Sequence, residues 1–454
     1  MSFLAALCRR SLPSRLLRSV VARNAVSNVI TLAWLSVLSI LVIPVYIKLL
    51  GVSEWGLVAA CASLQLLSNF VDAGFSQIVP RWVAREAHNP TALRSYVTLF
   101  RKMYLVLGLL VFVSLQLCAG YLAQFWFQVA PDQVSALEMA IRIISFQLLF
   151  QFVNNLHIGL WHGMQRQVLA NLSAGGFGTL KHMAAMAVLL IGPAVAWRYA
   201  TTFAIVAMLE VFTNAWLVRR TLRELGSATE AHLLTAKPFL KEVSVLSGGI
   251  LVGLLVSQMD RLILSRSVSL EHFGVYTVVA TLSLAFLQLQ TPLTRAYFPL
   301  LVQDIEAIGR VSVGHMRSLI GGTLMFSTLP ALVACVFAGP LLRIWLHDLK
   351  FVDIGTQPMQ ILLLAVAANT IYGCIYQVMV AAGRSHLVLK FNLAALAVAG
   401  LVVATAAASS QPYGILLGGY IWLSTTLTQL LLGLVWFSTY RPQLHLSNAD
   451  IGIR

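Results

Sequence analysis

The stretch "EWGLVAACASLQLLSNFVDAGFSQIVPRW", Glu54–Trp82, decides the fold. It is a long apolar run that opens after Ser53 and closes at Pro80, with Asp72 inside it, eight residues before the proline. A run of about 20 apolar residues is what a helix needs to cross about 30 Å of hydrocarbon. A β-barrel strand is only about 10 residues of alternating pattern. The run therefore reads as a membrane-spanning helix, and Asp72 as a carboxylate placed where carboxylates are costly.

The rest of the chain agrees. Its 454 residues are 59% hydrophobic and 10% charged, with mean hydropathy +0.83. Soluble domains carry about 25% charged residues, so this chain has too little polar surface to remain in water. The class is an all-α polytopic membrane protein. Five cysteines, Cys8, Cys61, Cys118, Cys335 and Cys374, are scattered and mostly within apolar runs. They read as small buried residues with no metal-ligand spacing.

Apolar runs bounded by charges, Pro and Gly predict twelve helices, over 25–50, 54–79, 102–125, 138–161, 168–192, 197–218, 241–266, 272–298, 317–339, 357–382, 387–408 and 414–437. The fourth is interrupted by Arg142, Asn154, Asn155 and His157. With both termini placed in the cytoplasm, the inner segments hold 22 of the 31 Lys and Arg residues, the outer segments 5, and the helices 4. This is the positive-inside bias. It accounts for much of the net charge of +15, which in a soluble protein would suggest nucleic acid; no nucleic-acid partner is expected here. The segment 1–24, with five arginines and no acid, could pass for a mitochondrial presequence. It reads instead as a basic cytoplasmic lead-in.

The longest inner connector, from Leu217 to Lys241, divides the chain into six helices and six. The expected parts are an N-lobe over 25–218, a linker over 219–240, a C-lobe over 241–437 and a cytoplasmic tail over 438–454. An even number of spans per lobe gives both lobes one orientation, hence a parallel repeat about a pseudo-two-fold axis along the membrane normal. A shift of 218 residues aligns "EWGLVAACASLQL" with "HFGVYTVVATLSL". In that register Gly74 lies opposite Pro292 and Asp72 opposite Gln290, so each lobe carries a helix-breaking residue at one place in its second helix.

These residues carry a resemblance. "IKLLGVSEWGLVAACASL" followed by "FVDAGFSQIVPRWVAR", "MDRLILSRSVSLEHFGVYTVVATLSLAF" followed by "RAYFPLLVQ", and "GMQRQVLANLSAG" resemble the polysaccharide biosynthesis family. That family comprises the O-antigen unit flippases of the multidrug/oligosaccharidyl-lipid/polysaccharide exporter superfamily. The resemblance spans roughly residues 23 to 440. It implies a MATE-like pair of six-helix lobes around a central cavity, working by alternating access. The implied cargo is an undecaprenyl-pyrophosphate-linked oligosaccharide, an O-antigen or exopolysaccharide unit of the kind that builds lipopolysaccharide. The implied site of action is a bacterial inner membrane, with polysaccharide polymerase machinery as a further partner. No cofactor is implied beyond a proton or sodium gradient.

Charges within spans almost always face a cavity or a partner, so they form the candidate site. Asp72 lies about 12 Å of helix from Pro80, inside the hydrocarbon on the cytoplasmic side of centre. It reads as a titrating or cation-binding acid, or as half of a structural pair. Lys181, mid-way along the fifth helix beside His182, cannot easily reach either surface. It reads as a point charge for a pyrophosphate, with a salt bridge to Glu210 or Asp72 as the rival. Arg142 follows Glu138 by four residues, a favourable helix pair. Asp260 and Arg261 are neighbours in the seventh helix and point to different faces. Arg295 lies near the inner end of the eighth. Lys181, Arg261, Arg295 and Arg142 are thus the cargo candidates, and Asp72, Glu210 and Asp260 the ion-coupling candidates. His157 and His162 read as hydrogen-bonded interfacial histidines. Trp55, Trp82, Trp126, Trp161, Trp197 and Trp216 read as interfacial belts, and Trp34 and Trp422 as packing.

Three functions compete. A flippase would use cationic side chains to replace water around the head group while the lipid tail stays in the bilayer. A drug or cation antiporter of the same superfamily would need a mainly acidic cavity, whereas the intramembrane tally is four basic to three acidic residues. An integral-membrane glycosyltransferase, polymerase or ligase would need a larger exposed domain or loop than these connectors supply. The expectation is a transporter rather than an enzyme.

Overall fold

The computed structural model describes residues 20–72, 75–86, 89–224, 237–409 and 413–439. Every regular element among them is helical. Two compact units divide the chain between Ile250 and Leu251, and each is taken by itself.

The first unit opens with helix α1, Val20–Ser63, bent at Gly51, whose φ of 73° and ψ of 172° interrupt the helix. Only glycine adopts that backbone without strain, and at 44 residues α1 is about twice the length needed to span hydrocarbon. The bend thus separates the first two predicted spans. The second span is itself segmented. A turn at Leu64 leads into α2, Gln65–Asp72, and then α3, Phe75–Arg85. One expectation changes here and another is not tested. Pro80 does not end the helix but sits inside α3, and Gly74, expected to bend the span, lies outside the described residues.

Helix α4, Pro90–Tyr121, starts twelve residues before the predicted 102. Hydropathy finds only the part of a helix that meets lipid. The true start is an N-cap, with Asn89 accepting from the Ala92 amide and Pro90 at the first position, a preorganised opening. Helices α5, Val134–Gly163, α6, Gln167–Ile191, and α7, Ala196–Glu224, follow close to prediction. Helix α7 takes in residues 219–224 of the expected linker, and α8, Lys237–Ser267, takes in 237–240 and carries the division between the units. The remaining residues of that linker, the first nineteen of the basic lead-in, and the tail beyond Thr439 lie outside the described residues.

The core of the first unit is α3 held between α4 and α5, with Phe75, Val79, Phe100, Tyr104, Phe152 and Trp161 buried together. Trp161, expected in an interfacial belt, is fully buried in this core. Gly163 permits the approach of α5 to α3, since a Cβ there would lie 2.6 Å from both the Pro80 carbonyl oxygen and Val83 Cβ. The seam between α1 and α6 is polar instead. Asn24 donates to the Gln165 carbonyl, Asn28 to Gln167, Asn171 to Ser27 and Asn28, and the Trp34 indole to Thr179.

In the second unit, α9, Leu270–Gln288, and α10, Thr291–Ile308, replace one predicted span. The ninth predicted span becomes α11, Val313–Thr323, a π turn, Leu324–Thr328, and α12, Leu329–Val336. A short amphipathic helix, α13, Ala338–Leu346, had no counterpart in the prediction. Helices α14, Leu349–Ala381, α15, Ser385–Ala408, and α16, Leu416–Thr439, complete the unit, with α14 at its centre against α9 and α16.

Ten helical runs among the described residues are long and apolar enough to cross a membrane, against twelve predicted spans. The first of the ten, Val26–Asp72, contains the bend at Gly51, and α8 is not among them. Large apolar side chains cover the outer faces: Leu117 is 79% exposed and Ile191 86%. A water-soluble monomer does not present so much contiguous apolar surface; lipid is the solvent of these faces, and the protein is a multi-pass membrane protein.

Candidate functional site

Helix α5 brings two buried acids into one polar assembly. At the C-terminal end of α2, Asp72 is buried, and its carboxylate accepts from the Tyr104 hydroxyl of α4 (3.0 Å) and from Asn155 Nδ2 of α5 (3.0 Å). The Ser76 hydroxyl, on the second residue of α3, donates to the Asp72 carbonyl. The preceding residue of α5, Asn154, donates from Nδ2 to Glu210 Oε1 of α7 at 2.9 Å. The other carboxylate oxygen, Glu210 Oε2, meets Lys181 Nζ of α6 at 3.1 Å. Asn154 Oδ1 accepts from Asn214 Nδ2 (2.7 Å), and Asn214 is hydrogen-bonded with Ser173. Adjacent residues on a helix point about 100° apart, so Asn154 and Asn155 serve two different neighbours from one position on α5.

Lys181 thus takes the partner the rival reading named, Glu210 rather than Asp72. The side chains are 18% and 10% exposed. A lysine ammonium has three donors, and Glu210 is the one ion-pair or hydrogen-bonding partner of Lys181 among the described residues. The His182 ring turns the other way, to the Tyr46 hydroxyl (3.0 Å) and an edge-to-face contact with Phe203.

The other candidates stand apart from this assembly. Arg142 pairs with Glu138 at 2.7 Å and also donates to the Gln116 carbonyl, with about half its side chain exposed, which is the helix pair its spacing indicated. Arg295 is exposed on α10. Asp260 is buried and accepts from the Tyr276 hydroxyl, while Oδ1 has no hydrogen-bond partner among the described residues. Arg261, beside it, is half-buried. His157 is buried, with Nδ1 unpartnered among the described residues. No group of three His, Cys, Asp or Glu side chains among the described residues is placed to hold a metal ion.

The second unit repeats the architecture around Asp72 with different chemistry. Gln290 is buried between α9 and α10, where Asp72 lies between α2 and α3. Its Nε2 donates to the Thr370 carbonyl (2.7 Å) and approaches Thr323 Oγ1 (3.5 Å) and Cys374 Sγ (3.6 Å). Asp72, Tyr104 and Asn155 correspond to Gln290, Thr323 and Cys374 at shifts of 218, 219 and 219 residues. The polar residue at each helix break is therefore tied to the same two following helices. One unit uses an acid and the other an amide.

Sequence reading named Asp72, Lys181 and Glu210 but treated Asn154 and Asn155 as interruptions of an apolar run. A polar pair deep in a span needs partners, and that is the signal that could have placed them in the site. Tyr104 gave no signal, because it reads as one more apolar residue.

The described helices thus form a bundle with lipid-facing outer surfaces and ionisable groups paired inside. Solved structures agree on the fold. One titled "Lipid II flippase MurJ, inward closed conformation" is 13% identical, with a TM-score of 0.69 over 92% of this chain and 88% of that one. The MATE multidrug transporter DinF-BH is 15% identical, with a TM-score of 0.65 over 95% and 96%. An outward-facing multidrug resistance MATE family transporter of the MOP superfamily is 12% identical, with a TM-score of 0.62 over 94% and 97%. The fold is that of this exporter superfamily. The chain belongs to the polysaccharide biosynthesis protein family, whose model matches residues 21–304, well over half of the sequence. No curated protein sequence matches it significantly.

Proposed function

We propose that this protein is a flippase that carries an undecaprenyl-pyrophosphate-linked oligosaccharide, an O-antigen or exopolysaccharide repeat unit, from the cytoplasmic to the periplasmic leaflet of a bacterial inner membrane. Both termini are cytoplasmic in this reading, transport proceeds by alternating access between an N-lobe and a C-lobe, and a proton or sodium gradient drives it. Membership of the polysaccharide biosynthesis family and a fold shared with a flippase of a lipid-linked substrate support the cargo class. The observation that carries the reading is the Lys181 ammonium within the membrane-spanning bundle, with donors to spare. A cation there replaces water around a diphosphate that hydrocarbon alone would exclude. Asp72 and Glu210, joined through Asn155 and Asn154, are the ion-coupling groups.

Deletion of the gene tests this. Lipid-linked oligosaccharide is expected to accumulate on the cytoplasmic leaflet, and unchanged surface polysaccharide would refute the reading. The Asp72→Asn protein is expected to stay folded and lose transport; normal transport by it would remove Asp72 from the mechanism.

One observation favours the second reading, a drug or cation antiporter. The three acids Asp72, Glu210 and Asp260 are all buried, whereas Arg142 and Arg295 are exposed. Removing the latter two leaves Lys181 and Arg261 against three acids. Efflux of cationic dyes by the purified protein in vesicles, with no movement of diphosphate lipids, would decide for the antiporter.

A further inference from the structure

The cation proposed to receive the cargo, Lys181, already has an anion beside it. Glu210 Oε2 lies 3.1 Å from Lys181 Nζ. A diphosphate brought to the same ammonium would stand next to the Glu210 carboxylate, and like charges in a poorly solvated site repel strongly. The lysine cannot serve both.

The two partners are not equally free to move. Glu210 is held by its other oxygen, through Asn154 Nδ2 at 2.9 Å, and Asn154 is held by Asn214 at 2.7 Å, which is held by Ser173. This chain ties α7 to α5 and α6. Lys181 is a flexible stem with one partner among the described residues, so it is the lysine that changes partners and the glutamate that stays.

We propose that Glu210 is a built-in competitor of the cargo: an internal anion that occupies Lys181 at rest, yields it only to a ligand of higher charge, and reclaims it to expel the head group. This inference rests on the proposed flippase function and deepens it. It makes Glu210 a specificity-setting residue. A ligand with one negative charge offers Lys181 nothing its own carboxylate does not, whereas a diphosphate, with more charge and several acceptor oxygens, can engage all three donors. Selection through a competitor that weaker ligands cannot displace is specificity by a repulsive element. Asn154 is the positioning residue that keeps the competitor in place. In return, the affinity for the intended cargo is lower than a bare lysine would give.

The test uses the full chain in lipid nanodiscs with farnesyl diphosphate as probe, farnesoate, a singly charged carboxylate of the same chain, as control, and calorimetric titration as readout. Glu210→Gln keeps an oxygen for Asn154 and removes the charge. It is expected to bind farnesyl diphosphate about tenfold more tightly, within the usual range for coupled sites, and to discriminate less against farnesoate. Lys181→Met is expected to lose most of the affinity. The double variant Lys181→Met/Glu210→Gln should match Lys181→Met alone, because the competitor acts only through the lysine. Glu210→Asp, which keeps the charge but withdraws it by one methylene, should give a smaller rise in the same direction and serves if the Gln variant does not fold. Unchanged or weaker binding by the folded variants at position 210 overturns the inference, as does a gain that persists without Lys181, which would mark a long-range field effect. Failure of the wild-type protein to bind farnesyl diphosphate at all would instead overturn the flippase reading.

Discussion

Removal of the Asp72 carboxylate gives a stability change that can be worked from its partners. In Asp72→Leu, the Tyr104 hydroxyl and Asn155 Nδ2 each lose an acceptor 3.0 Å away. Hydrogen bonds to charged groups contribute about 1.5–3 kcal/mol in soluble proteins. Interhelical bonds within membranes average only about 0.6 and reach about 1.7, because an unfolded chain in lipid also finds partners. Tyr104 is fully buried and can find no substitute, so its bond belongs near the upper figure. Asn155 is half-buried and belongs near the mean. The sum is a loss of about 2 kcal/mol. Asp72→Asn should lose under about 1 kcal/mol, since Asn Oδ1 still accepts from Tyr104 and the Asn155 amide can turn its oxygen to the new donor. The amide at Gln290 shows that such a break accommodates a carboxamide. Denaturant unfolding in detergent micelles measures both. If Asp72→Leu is as stable as wild type, the two donors do not anchor the break and the argument for the polar assembly fails. Adding Tyr104→Phe to Asp72→Leu should recover part of the loss by removing the stranded hydroxyl.

Packing and exposure set three further expectations. Gly163→Ala drives a Cβ to 2.6 Å from a backbone carbonyl and a buried valine, neither of which can yield, and should lower stability by about 1–3 kcal/mol in the same assay. Gly418→Ala places a Cβ 2.5 Å from Tyr276 Cζ, so it should shift the ring that donates to Asp260 and lower the melting temperature of the purified protein. Arg142→Ala removes a half-exposed helix pair and should alter stability by no more than about 0.5 kcal/mol; transport at the wild-type rate would also take Arg142 off the list of cargo contacts.

The membrane spans were legible because lipid imposes one strong rule on composition, and α5, α6, α15 and α16 run close to where that rule put them. The rule is silent about anything that does not face lipid. It missed the early turns of α4, which an Asn-Pro cap starts outside the apolar run, and the amphipathic α13. It also took Pro80 for an exit, although α3 continues past it to Arg85. Proline is a strong local signal, but packing of α3 against α5 at Gly163 outweighs the hydrogen bond it removes. Of the site, the charged residues were visible because charge in a span is rare. Their pairing was legible within one helix, as for Glu138 and Arg142, but the choice of Glu210 over Asp72 for Lys181 depends on rotation about each helix axis, which sequence periodicity leaves loose over mostly apolar helices. The 218-residue repeat did locate the break that Gln290 shares with Asp72. It could not show that Tyr104 and Thr323, or Asn155 and Cys374, would occupy matching places, since the first pair shares only a hydroxyl on unlike side chains and the second shares no functional group.

In the proposed function, Lys181 receives the diphosphate of a lipid-linked cargo on its way across the bilayer. The most direct measurement is the rate at which a fluorescent polyprenyl-diphosphate-linked oligosaccharide crosses vesicles reconstituted with the wild-type protein or with Lys181→Met. Protein-dependent crossing that the substitution abolishes, with the variant still folded, is the result this account predicts. No protein-dependent crossing, or crossing at the wild-type rate without the lysine, would contradict it.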